Sequence, residues 1–417
     1  MKIKIKFIKI YKSIALLSFN TIILILFLNL ILACFFWFSD TLAKNKPEVD
    51  QRVLSHREKY SDLNAYTTMK PAEINIFLNE QDAMGSIGFQ YKPWLQFQNP
   101  TFHGTYLTTN EQGFRKTKEP KFSKGEPIKI YVFGGSTTFG YGVADNYTIP
   151  SFIQTILEQQ FPTNPILVKN FGQGFYYSSQ EMLLLISMIK NSDIPDFAVF
   201  IDGANDTHQL HFKHDQPNFT DTLRDLWNYR RGIPNIQQKN DYSWIPMIRM
   251  TQGISKKLQT FKPHQTSMNP DKEKKTNNLS TGANEVKSNA DYVIKRYKNN
   301  IRIIRSISRE HGIKCYFIWQ PVPFYKYNRA FHRNFPYAGE IPKHWTDVYT
   351  GIKDYSSSDF LYLGEFLENV SEKVFVDDVH YNEKYNDKIA FKIYNLLKPD
   401  LINYAQNKKS GVAENYK

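Results

Sequence analysis

Short apolar runs that stop abruptly at small or polar residues recur along the chain: Ile128–Phe133, Ile166–Asn170, Phe197–Ile201, Ile313–Trp319 and Lys373–Val376. Between them lie stretches with helical spacing. Pro150–Phe161 places Phe152, Ile153, Ile156, Leu157 and Phe161 on one face. Ser178–Lys190 is a second such stretch, and Ala290–His311 and Lys384–Leu397 complete the series. Strands this short and this uniformly apolar, alternating with one-faced helices, predict a parallel sheet covered on both faces. In an open sheet of that kind ligands bind beyond the C-terminal ends of the strands. The residues just after each run are therefore where chemistry is expected.

Four polar blocks occupy those places. The first run leads into Gly134-Gly135-Ser136-Thr137-Thr138, and the second ends in Asn170-Phe171-Gly172. The third leads to Gly203-Ala204-Asn205-Asp206, and the last to Asp377-Asp378-Val379-His380. Two glycines before Ser136 let the backbone turn sharply and present a hydroxyl at the sheet edge. A phosphate cradle is the competing reading of a glycine turn at a helix start, but the Lys of a phosphate-binding loop is missing. A serine nucleophile needs a base and donors for the oxyanion. His380 supplies a base, and Asp377 in the same turn can fix its tautomer and stabilise the imidazolium. The Asn205 amide and the backbone N–H groups of Ser136 and Gly172 are candidate oxyanion donors.

Together these blocks resemble the SGNH (GDSL-type) hydrolase family, over roughly residues 126–208 and 290–397. The resemblance implies a three-layer α/β/α fold with a five-stranded parallel sheet, flavodoxin-like in plan. It implies Ser136 as nucleophile, Ser136, Gly172 and Asn205 as the oxyanion hole, and Asp377 with His380 completing the triad. The Gly-x-Asn-Asp and Asp-x-x-His blocks match fully. Gly135 stands where the family often has Asp, a residue outside the triad. Neither metal nor cofactor is expected.

The N-terminal segment adds a tether. Ile14–Phe38 has no charged residue and spans roughly 37 Å as a helix, enough for a hydrocarbon core of about 30 Å. Five lysines precede it (Lys2, Lys4, Lys6, Lys9 and Lys12) and Asp40 comes after it. That asymmetry places the N-terminus in the cytoplasm and the bulk of the chain outside. The apolar run exceeds that of a cleaved signal peptide, so it reads as an uncleaved anchor. Ile31-Leu32-Ala33-Cys34 loosely resembles a lipoprotein cleavage site, but Phe35–Phe38 continue the apolar run past it. The lysines also account for five of the thirteen net positive charges. What remains is modest and scattered, and no nucleic-acid motif accompanies it. The second cysteine, Cys315, sits within a strand candidate, so no intrachain disulfide is expected, which suits a bacterial periplasmic location.

The expected organisation is a basic tail and transmembrane anchor over 1–43, a stalk and aromatic lead-in over 44–125, and a hydrolase domain over 126–400. Two insertions interrupt that domain. The one over about 208–289 has a polar stretch, Lys262–Ser288, expected to be disordered. The other covers about 321–358 and is rich in aromatics, Pro and His. His208, His211 and His214 have a spacing that could offer two metal ligands on one helical face, although surface or cleft histidines are the plainer reading. Taken with the anchor, the family resemblance implies a membrane-tethered esterase that removes O-acyl, chiefly acetyl, groups from a cell-envelope glycan. An O-acyltransferase using the same triad, or a glycan-binding assembly subunit, are the alternatives.

Overall fold

The computed structural model describes residues 2–44, 62–121, 125–208, 246–247, 250, 282–333, 335 and 339–409. The chain divides into two compact units, one formed by Met1–Ser55 with Asn228–Asn277, the other by His56–Trp227 with Asn278–Lys417. In the first unit a long helix, α1, runs over Lys2–Lys44. Its stretch Tyr11–Phe38 has a mean hydropathy of 2.6, long and apolar enough to cross a membrane. The Asn29 side chain accepts from the N–H of Met247 at 3.2 Å.

The second unit opens with a helix, α2 (Pro71–Ile87), and two short antiparallel pairs, β1 (Gln90–Lys92) with β2 (Gln96–Gln98) and β3 (Phe102–His103) with β4 (Thr108–Thr109). The helix has its start signals in sequence. Pro71 occupies the first turn, where its missing N–H costs nothing, and Glu73 caps by accepting from the N–H of Lys70 at 2.8 Å. The main sheet and its helices come next: β5 (Ile128–Gly134), α3 (Ser136–Phe139), α4 (Ile149–Gln160), β6 (Ile166–Gly172), α5 (Ser178–Lys190), β7 (Phe197–Asp202), α6 (Ala204–His208), α7 (Gly282–Glu310), β8 (Lys314–Trp319), α8 (Lys343–Lys353), β9 (Phe360–Tyr362) and α9 (Glu383–Lys409).

The sheet is five-stranded and all parallel, in the order β6-β5-β7-β8-β9. Strand period two sorts its side chains cleanly. Tyr131, Phe133, Phe171, Phe200, Phe317 and Trp319 pack on one face, against α5, α7 and α8. Ile130, Val132, Val168, Val199, Ile201 and Ile318 pack on the other, against α4 and α9. This is the three-layer fold expected from the alternation of apolar runs and helices. Strand order reverses between β6-β5 and β7, so the crevice of a doubly wound sheet lies beyond the ends of β5 and β7.

Two expectations are corrected. The fifth strand is Phe360–Tyr362, not Lys373–Val376. Val374, Phe375 and Val376 are buried, but as an extended segment closed by an isolated bridge between Phe375 and Tyr381. They cover the core without joining its ladder, which is why the apolar run looked like a strand. α2 and both hairpins belong to the same compact unit as the sheet. Within the first insertion, His208 ends α6, while His211 and His214 lie outside the described residues. Of Lys262–Ser288, residues 262–281 lie outside them too, and 282–288 begin α7 rather than a loop.

Candidate active site

Ser136 stands at the first position of α3, directly after β5 and at the topological switch. Gly135 before it has no room for a side chain: a Cβ there would lie 2.4 Å from Asn205 Nδ2 and 3.0 Å from the Tyr176 carbonyl. The same contact puts the Asn205 amide against the turn that carries Ser136. That amide is oriented, because Nδ2 donates to the Tyr176 carbonyl at 2.7 Å, which leaves its second hydrogen for a ligand. Asn205 is placed by the turn at Gly203, whose φ of +117° suits glycine and whose missing side chain lets Trp319 approach.

His380 lies on the loop after the buried segment 374–376. His380 Nδ1 lies 2.7 Å from Asp377 Oδ2, while Asp377 Oδ1 accepts from the N–H groups of Val379 and His380 at 3.0 and 2.8 Å. Burial alone would raise the Asp377 pKa, but His380 and these hydrogen bonds outweigh it and hold the carboxyl below the ordinary range. His380 Nε2 is buried and has no hydrogen-bond partner among the described residues. It is the nitrogen a general base would use.

Two contacts bring the serine block and the histidine loop together. The ring of Tyr141, whose N–H donates to the Ser136 carbonyl at 3.1 Å, lies 5.6 Å from the imidazole of His380. Thr137 and Tyr381, the residues after Ser136 and His380, both donate to Gln320 Oε1, at 2.7 and 3.1 Å. Of the residues expected from sequence, Ser136, Asn205, Asp377 and His380 thus belong to one neighbourhood. Gly172 has a different task. Its N–H already donates to Asn170 Oδ1 at 2.9 Å, and a Cβ on it would strike the backbone of Phe139 at 2.3 Å, so it serves close packing of β6 on α3. Two residues on, Gly174 lies against the rings of Phe89 and Tyr141.

The lead-in, not singled out as functional in the sequence, braces both the turn after Ser136 and the His380 loop. Arg115 is buried, bonds Asp145 at 2.6 Å through Nε, and donates to the carbonyls of Gly140 and Val143 at 2.8 Å each, clamping the turn after α3. Gln81 on α2 accepts from the Gly142 N–H at 2.7 Å, and Gly142 abuts Val376 and His380. Phe77, Leu78 and Met84 pack with Phe139 in a separate apolar cluster. The only signals for this were an arginine in a turn and a proline-led helix.

Behind Asn205 lies a buried acidic group: Glu181 on α5, Asp202 at the end of β7 and Asp206 on α6. Asp206 accepts from the Ser178 hydroxyl at 2.6 Å and has Arg296 at 3.7 Å. Burial, then the neighbouring carboxylates, push both Glu181 and Asp202 well above the usual range. The folded chain therefore keeps protons that the unfolded chain releases above about pH 4. Stability should fall as pH rises from that point toward the raised values, by up to about 1.4 kcal/mol per pH unit per proton. Glu181→Gln, which mimics the protonated acid, should flatten that decline and raise Tm relative to the parent at pH 8. Thermal melts of both proteins from pH 5 to 8 check it, and parallel pH profiles would refute a shared buried proton.

No family model matches the chain, and no curated protein does. Solved structures do. The psychrotrophic esterase EstA from Pseudoalteromonas sp. is 13% identical with a TM-score of 0.34, over 66% of this chain and 98% of that one. The acetyl xylan esterase AlAXEase is 16% identical with a TM-score of 0.32, over 64% and 98%. A member of the lipolytic protein G-D-S-L family from Veillonella parvula DSM 2008 is 12% identical with a TM-score of 0.34, over 65% and 98%. Two of these are named as esterases and the third as a G-D-S-L-family lipolytic protein, and the likeness is coarse and at low identity.

Proposed function

We propose that the chain is a serine ester hydrolase that removes O-acyl groups from a cell-envelope glycan. The observation that carries this reading is the Asp377–His380 pair, with Nδ1 engaged, Nε2 buried and partnerless among the described residues, and the loop joined through Gln320 to the turn that carries Ser136. In the reaction Ser136 Oγ attacks the ester carbonyl while its proton passes to His380 Nε2. Asp377 stabilises the imidazolium that forms. Negative charge on the carbonyl oxygen is met by the Asn205 amide and the N–H of Ser136, with Gly174 taking the role first given to Gly172. The protonated His380 then gives its proton to the leaving alcohol, and water attacks the acyl-enzyme by the reverse path. Lysines ahead of the apolar stretch of α1 support an N-terminus in the cytoplasm and a catalytic unit outside it. The acetylated-glycan substrate rests on the family resemblance of the sequence blocks.

A fluorophosphonate tests the chemistry directly, because it reacts only with an activated hydroxyl. Peptide mass spectrometry of the labelled full-length protein in detergent should find the phosphonyl group on Ser136, and the same preparation should release acetate from O-acetylated envelope polysaccharide. Labelling of another residue, or none, refutes the nucleophile. Labelling with transfer of acetyl to a sugar hydroxyl instead of release would convert the reading to a transferase.

A further inference from the structure

We infer that Gln320 is a positioning residue that sets the separation between the Ser136 helix and the His380 loop, an inference that rests on the ester-hydrolase reading and deepens it. Gln320 is the first residue after β8 and is almost completely buried. Its backbone is fixed from both sides. Its N–H donates to the Asp202 carbonyl at 2.9 Å, and its carbonyl accepts from the Tyr349 hydroxyl at 3.0 Å. With the main chain held, the side chain reaches one point at the sheet edge. There Oε1 accepts from two hydroxyls on opposite halves of the site: Thr137, one residue past the nucleophile, and Tyr381, one residue past the base. Tyr381 shares its proton with the carbonyl of Pro321, so that contact too stays anchored to the end of β8.

The consequence is geometric. Thr137 lies 183 residues from Gln320 in sequence and Tyr381 lies 61 from it, yet both report to a single oxygen atom. Movement of α3 or of the histidine loop along the sheet edge must stretch one of these bonds. Because all three side chains are buried, water is poorly placed to substitute, and an unpaired hydroxyl there carries its full desolvation cost. Proton transfer from Ser136 to His380 needs the two within hydrogen-bond reach, and a misplacement of about 1 Å can cost about 10²-fold in rate. Gln320 touches neither substrate nor reacting atom in this scheme. It acts through Thr137 and Tyr381.

Gln320→Leu removes the acceptor while keeping a side chain of similar reach. It should lower kcat by about 10- to 100-fold with KM changed by less than about threefold, and lower the fluorophosphonate labelling rate by the same factor as kcat. Gln320→Glu, which restores an oxygen in the same place, should recover most of the loss. Thr137→Val should lower kcat in the parent but cost nothing further in the Gln320→Leu background, since the bond it removes is already gone. Should Gln320→Leu fail to fold, Gln320→Glu and Thr137→Val carry the test by themselves. Parent-like kcat in Gln320→Leu overturns the inference. So does independent, additive behaviour of Thr137→Val in the two backgrounds. If the parent protein neither labels nor turns over, the ester-hydrolase reading falls and this inference with it; if the parent does both and the variants match it, only the role of Gln320 falls.

Discussion

Ser136→Ala should lower kcat on an activated acetate ester by about 10⁶ while leaving the fold intact. The two halves of that expectation have separate causes. The rate should fall because in the proposed reaction the hydroxyl is the atom that attacks, and no other hydroxyl is placed to replace it: Thr137 is committed to Gln320 at 2.7 Å, and Thr138 is fully buried. A small residual rate over water should persist, because the Asn205 amide and the backbone donors still polarise a bound carbonyl. Stability should stay within about 0.5 kcal/mol. Ser136 is the first residue of α3, where Ala is well tolerated, and the Gly135 turn, the Arg115 clamp and the Phe139 packing do not involve its side chain. Turnover and a thermal melt on the same preparation check both halves. A fall in kcat of less than tenfold would remove Ser136 from the role of nucleophile.

That site was legible in the sequence to an uneven degree, and the unevenness has physical causes. The four longer strands of the sheet could be read because strands buried on both faces must be nearly all apolar, and because the chain must turn once it leaves them. Ser136, Asn205, Asp377 and His380 were singled out by the same logic, as polar residues where apolar runs stop. β9 was missed because three residues carry no period, and Phe360–Tyr362 earns its place only by pairing with β8. Residues 374–376 misled for the converse reason: burial writes the same apolar letters whether or not a ladder forms.

Gly172 shows a finer limit. A glycine after a strand was read as a backbone donor, yet what requires glycine there is the approach of Phe139, and its N–H faces Asn170. Sequence marks that a side chain is forbidden but not which neighbour forbids it. Gln320 was available to the rule that found the other four, since it comes directly after the run Ile313–Trp319, but a single amide before a proline suggests no chemistry until its partners are seen. Arg115 and Gln81 were harder to read, because most of their bonds go to backbone atoms of the turn after α3, and backbone partners leave no trace in the letters of the chain.

Asp377→Asn is the sharper probe of how the base is prepared. Asp377 Oδ1 accepts from two backbone N–H groups, those of Val379 and His380, while Oδ2 faces His380 Nδ1. In the variant the amide oxygen must keep the position facing the two N–H donors, since an amide nitrogen there would confront hydrogen with hydrogen. The NH₂ group is then forced toward His380 Nδ1, which must accept rather than donate. The imidazole proton moves to Nε2, the nitrogen that should receive the proton of Ser136. Activity should fall by about 10⁴ with little change in Tm at neutral pH, because every bond of the turn survives in altered polarity. Asp377→Ala loses the turn's two acceptor bonds as well, so its Tm should drop where that of Asp377→Asn does not. The acid limb provides an independent sign. A carboxyl held below its ordinary range stabilises the folded chain above the unfolded value, and that contribution disappears as pH falls through the folded one. The parent should therefore lose stability below about pH 4 more steeply than Asp377→Asn, which has no proton to take up. Turnover at pH 7 and melts from pH 3 to 7 on the three proteins decide the matter. An Asp377→Asn enzyme that retained more than a tenth of parental kcat would show that His380 finds its tautomer without Asp377, and the pairing at 2.7 Å would then be structural rather than catalytic.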